Sequence, residues 1–176
     1  KHYWHRIRGG DNLHSVIWLY NRTGEKWLLE LAEKVYRRTA PWTSRGHDLN
    51  DIKNPKDKRE GVEFPDWFTD LIDWHNVNIA QGFRTPAQYY LLNGDEKYLN
   101  ATYENFNIVR DNFGQVPGGM FGGDENARPG YDDPRQGIEL CGVVEQMNSD
   151  EHLLRITGDI FWADHLEEIA FNSYPA

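Results

Sequence analysis

Cysteine is almost missing: the 176 residues contain one, Cys141. A single thiol excludes an intrachain disulfide framework and any complete CxxC-type zinc site within the chain. It leaves the compartment open between cytoplasm, periplasm and the outside. Long apolar runs are missing too. No stretch of about 18 apolar residues occurs, and the mean hydropathy of −0.78 excludes a helical membrane protein. Positive charge is in deficit, with 19 Lys and Arg against 28 Asp and Glu, a net charge of −9 and a pI near 5.2. Phosphate binding needs concentrated cations, so nucleic acid is excluded as a partner. Strand patterns are scarce.

Aromatic residues are plentiful. Seven Trp, nine Tyr and eight Phe make up 14% of the chain. Flat apolar faces beside many carboxylates and amides suit a carbohydrate, and they serve an ordinary core equally well. The chain opens on Lys1 and ends at Ala176, straight after an apolar helical stretch. We therefore expect residues 1–176 to be part of a single domain that continues beyond residue 176.

One motif occurs three times, around Thr23-Gly24-Glu25, Asn93-Gly94-Asp95 and Thr157-Gly158-Asp159. An apolar-periodic run precedes each copy, and an aromatic residue opens the run that follows. Glycine after a helix supplies the left-handed C-cap, and the acidic residue suits the start of the next helix. Each unit reads as a helical hairpin. Helices are expected over 11–22 with 26–38, over 67–92 with 95–112, and over about 139–157 with 159–173. The second pair should be interrupted at Thr85-Pro86. Residues 41–66 and 113–138 read as long irregular segments, a class that is usually functional.

Three places could carry chemistry. Pro117-Gly118-Gly119-Met120-Phe121-Gly122-Gly123 runs into the adjacent carboxylates Asp124 and Glu125. No Lys-Ser/Thr follows the glycines, so this is not a phosphate loop. Neighbouring carboxylates raise one pKa, which suits a general acid, although a solvated acidic turn would look the same. Glu139-Leu140-Cys141 comes second. Joint metal ligation would need Glu139 in extended backbone and Cys141 near the first turn of the next helix. The alternative is a buried cysteine packed beside Leu140, Val144 and Met147. The third is His75, accompanied by Asn76, Asn78 and Gln81, polar groups that could line a sugar cup or make internal hydrogen bonds.

Read in order, Trp74-His75-Asn76-Val77-Asn78, then Gly-Gly-Met120-Phe121-Gly-Gly-Asp124-Glu125, then Glu139-Leu140-Cys141 resemble the β-L-arabinofuranosidases of glycoside hydrolase family 127. The run from Ile156-Thr157-Gly158-Asp159 to Phe171-Asn172 resembles them as well. The resemblance covers nearly the whole chain and is strongest from about residue 70 onward. It implies an all-α fold, a partial (α/α)6 toroid built of helical hairpins, and a retaining glycosidase acting on an arabinofuranoside-like carbohydrate. It further implies Glu125 as acid/base, His75 as a sugar contact, and Glu139 and Cys141 as ligands of a zinc ion in the complete protein. The nucleophile would be a zinc-bound cysteine of a downstream pair outside this chain, so the 176 residues alone should be inactive. Where family members often carry Gly-His-x-Glu near the N-terminus, this chain reads Arg8-Gly9-Gly10-Asp11-Asn12. Two other readings compete: a six-hairpin unsaturated uronyl hydrolase, which uses carboxylates and no metal, and a non-catalytic helical module that binds a glycan or a protein.

Overall fold

The computed structural model describes residues 7–44, 75–114, 117–123 and 137–176. Seven α-helices are described over their whole length: α1 (Gly9–Thr23), α2 (Trp27–Arg38), α3 (Asn76–Gly82), α4 (Arg84–Asn93), α5 (Glu96–Phe113), α6 (Leu140–Thr157) and α7 (Ile160–Glu168). A π-helical turn, Ile169–Ser173, continues α7. Among the described residues there is no strand, and extended pairing is limited to one parallel bridge between Gly123 and Ile138. The fold is all-α, a set of helical hairpins of the toroid type.

The three repeated motifs are the three hairpin turns. Gly24, Gly94 and Gly158 each adopt φ of +69°, and each donates its N–H to a helix carbonyl four residues back at 2.8 Å. That left-handed conformation is what glycine supplies without a Cβ penalty. Asp95 then caps α5 by accepting the Lys97 N–H at 3.1 Å, and Asp159 caps α7 by accepting the Phe161 N–H at 3.0 Å. The first copy differs. Glu25 is one methylene longer, and the first turn of α2 closes through backbone bonds with no side-chain cap.

Hairpin α1–α2 packs through α1 and α2 onto α4, and α4 lies between α1 and α6. Helix α6 also runs along α3 and pairs with α7. The main core joins the second and third hairpins through Phe83, Phe106, Phe113, Leu153 and Trp162. Met120 and Phe121, from the middle of the glycine-rich stretch, are inserted into that same core. A smaller cluster of Leu13, Ala32 and Tyr89 ties the first hairpin on, with Tyr36 stacked on Tyr89 at a 3.6 Å centroid separation.

The expected interruption of the second pair lies elsewhere. The break falls at Phe83, three residues before Pro86, because Pro86 occupies the first turn of α4, where a missing N–H costs nothing. The part of that expected helix before residue 75, and most of the segments 41–66 and 113–138, lie outside the described residues.

Candidate active site

The chemistry-bearing residues meet where α3 and α6 begin. His75 is the N-cap of α3, its Nδ1 accepting the Val77 N–H at 3.3 Å. Glu139 is the N-cap of α6, with φ −75° and ψ 127°, and Cys141 is the second residue of that helix. This is the extended-then-helical backbone that joint use of Glu139 and Cys141 requires. Cys141 is exposed, as are Leu140 at 58% and Val144 at 44%. The alternative of a cysteine buried beside those two side chains is therefore overturned.

Helix α6 runs against α3 with unusually little separation. A Cβ on Gly142 would come within 1.3 Å of the Asn76 Oδ1, so only glycine permits this approach. The close packing brings Glu139 Oε2 to 3.2 Å from His75 Nδ1. Their alignment is not that of a hydrogen bond, and Oε2 is buried with no hydrogen-bond partner. Since the Val77 N–H approaches the same Nδ1, a ring lone pair and a carboxylate oxygen face one another. Such a contact is unfavourable unless a proton or a cation joins the two.

Asn76 and Asn78 do not line an open cup; both are fully buried. Asn78 Oδ1 accepts a 3.0 Å hydrogen bond from Arg8 Nε, and Asn76 fills the space against Gly142. Gln81 is buried as well, with its Oε1 unbonded. Arg8 was not legible as a site residue. It belongs to the stretch Arg8-Gly9-Gly10-Asp11-Asn12, and a contact 70 positions away leaves no local signal. A Cβ on Gly10 would strike Thr85 Oγ1 at 2.1 Å, so Gly10 lets this segment lie against the second hairpin, while Gly9 permits its approach to Thr39 at the end of α2.

The glycine-rich stretch reaches the same place. Gly118 and Gly119 have φ of +104° and +88°, conformations open to glycine. Gly123 donates its N–H to Gly137 O at 3.1 Å, and Gly123 O accepts the Glu139 N–H at 3.0 Å. Gly123 is thus bonded directly to Glu139. Asp124 and Glu125 follow it in sequence and lie outside the described residues, as do Asp132 and Asp133.

Toward the other end of α1, α4 and α6 a cavity of about 210 Å³ is lined by His14, Trp18, Gln88, Leu91 and His152. Burial and the neighbouring Arg84 lower the His14 pKa; burial and His14 push His152 down to about 4. Between the two ends sits Arg84, buried, paired with Asp11 and with Glu145 at 3.1 Å. Burial raises the Asp11 pKa despite that arginine.

No helix among the described residues is long and apolar enough to cross a membrane. Comparison with curated proteins and with solved structures returns no match. A family model described as "Beta-L-arabinofuranosidase, GH127 catalytic domain" matches residues 1–176, the whole chain. The chain, with its helical hairpins, therefore belongs to the GH127 β-L-arabinofuranosidase catalytic-domain family, a family of glycoside hydrolases.

Proposed function

We propose that these residues form part of a retaining β-L-arabinofuranosidase-like enzyme, supplying its acid/base, a sugar contact and two ligands of a zinc ion. The observation that supports this beyond the family match is the buried, unbonded Glu139 Oε2 facing His75. A buried carboxylate oxygen without a hydrogen bond costs about 1–3 kcal/mol, and a cation beside it would offset that cost. Carboxylate and thiolate donors from Glu139 and Cys141 fit zinc. When bound, zinc supplies a thiolate at neutral pH. Among the described residues no group of three His, Cys, Asp or Glu gathers tightly enough to hold a metal. In this reading Cys141 serves as a ligand and not as the nucleophile.

The work of this chain's own residues follows from their chemistry. Glu125 gives its proton to the departing glycosidic oxygen as a nucleophile takes the anomeric carbon, then takes one from the water that displaces that nucleophile; two displacements at one carbon retain its configuration. His75, buried at the start of α3, is the residue this reading assigns to the sugar contact. Its hydrogen bond from the Val77 N–H orients the ring.

The test compares the full-length protein with the isolated 176-residue chain, using an aryl β-L-arabinofuranoside and metal analysis. The full-length protein should hydrolyse the substrate and contain one zinc per chain; the isolated piece should do neither. Turnover of an unsaturated uronide without zinc would instead assign the domain to the uronyl hydrolase reading. Turnover by the isolated chain would move the nucleophile to its own carboxylates, starting with Asp124, Asp132 and Asp133.

A further inference from the structure

The glycine-rich stretch is held from behind by a buried polar chain that the proposed reaction does not use. Asp150 on α6 is fully buried, and its Oδ2 accepts from His165 Nδ1 at 2.7 Å. Its other oxygen accepts from Gln146 Nε2 at 2.8 Å. On the far side of the ring, His165 Nε2 lies 2.9 Å from Gly119 O. Arg110 Nη1 also donates to Gly119 O, at 2.5 Å, and stands 3.4 Å from His165 Nε2. Two hydrogen bonds farther along fix the register: Ser173 Oγ donates to Gly118 O at 2.6 Å, and Gly122 donates to Phe113 O at 2.5 Å. The stretch then ends at Gly123, whose carbonyl accepts the Glu139 N–H.

Both ring nitrogens of His165 face oxygen acceptors. The closer neighbour of Nε2 is a carbonyl, which needs a proton on that nitrogen; the more distant Arg110 has only donors to offer. The Asp150–His165 pair therefore holds two protons, one between the partners and one on Nε2. We propose that Asp150 and His165 are positioning residues: the Nε2 proton fastens Gly119 and, through Gly123, sets the backbone of Glu139. Their charged surroundings are Arg110 and Asp111 on α5 and Asp164 and Glu168 on α7, with Phe106 and Phe161 against the ring. Burial raises the Asp150 pKa, and the His165 hydrogen bond opposes that rise.

This inference rests on the proposed function only in treating Glu139 as a site residue, and its test measures no turnover. Side-chain ¹⁵N spectra of the wild-type chain at about pH 6.5 should show a proton on His165 Nε2; a lone pair there overturns the proposal. Backbone amide exchange then reads the consequence. His165→Gln keeps a donor near the Nε2 position, whereas the shorter His165→Asn keeps one only near Nδ1. Exchange at Gly123 and Glu139 should accelerate about tenfold or more in His165→Asn and stay within about threefold of wild type in His165→Gln. Equal acceleration in both variants, or none in either, contradicts the positioning role. If His165→Asn does not fold, the Nε2 proton and the protected amides of His165→Gln decide the matter.

Discussion

His14 on α1 and His152 on α6 hold their rings 4.0 Å apart, centroid to centroid, across the cavity beside Gln88. Burial first, and repulsion by the other ring and Arg84, keep the His152 pKa near 4. An unfolded histidine takes its proton near pH 6.5, so between about 6.5 and 4 the unfolded chain binds more protons than the folded one. Stability contributed by the neutral pair is present above about pH 6.5 and is lost as pH falls toward 4. The melting temperature should therefore drop across that window, and His152→Gln should flatten the drop; an unchanged slope in the variant would remove the pair as its cause. Where α6 begins, the two-residue spacing of Glu139 and Cys141 was legible, and the backbone there is extended at Glu139 and helical from Leu140. The meeting of His75 with Glu139 was not, since it depends on how closely α3 and α6 pack. Arg8 was invisible for the same reason: its partner Asn78 is far away in sequence.

Gly142 is where two elements depend on one hydrogen atom. Gly142→Ala puts a methyl group onto the buried Asn76 amide, and overpacking of this kind costs about 1–3 kcal/mol. Asn76→Ala removes the obstructing atoms, along with two buried polar atoms that lack partners. The double variant should recover most of the loss, giving a coupling of about 1 kcal/mol or more in chemical denaturation. Additive losses would mean that the two helices do not meet through this pair. The hairpins themselves were readable because cap chemistry is local: a left-handed glycine and an acidic side chain act within four residues of one another. Gly158→Ala should cost about 1 kcal/mol through its positive φ, with nothing near the added methyl group to clash. The interruption of the second pair was misplaced because proline marks where a helix lacks an N–H, and the first turn of a new helix lacks partners anyway. Insertion of Met120 and Phe121 into the core could not be read from a segment whose composition suggests a loop.

Over the whole molecule, large apolar side chains face outward along the helices, among them Trp18 at 54% and Leu91 at 51% exposure, both at the cavity between α1, α4 and α6. We propose that these faces pack against further hairpins of the complete domain. The isolated 176-residue chain should then self-associate, sedimenting above its 20.6 kDa monomer mass at micromolar concentration; a monomer with no exposed-surface dye binding would contradict this. Family membership and the all-α hairpin fold were legible throughout, because three ordered motifs and three turns carried them. The catalytic assignment depends on Glu125, and one measurement reaches it most directly. In the full-length enzyme, the loss of kcat/KM in Glu125→Ala should be compared between arabinofuranosides with alkyl and with activated aryl leaving groups. Glu125 as general acid predicts a loss of several orders of magnitude for the alkyl substrates and a much smaller one for the aryl substrates, whose leaving oxygen needs little protonation. Equal losses for the two classes would contradict it.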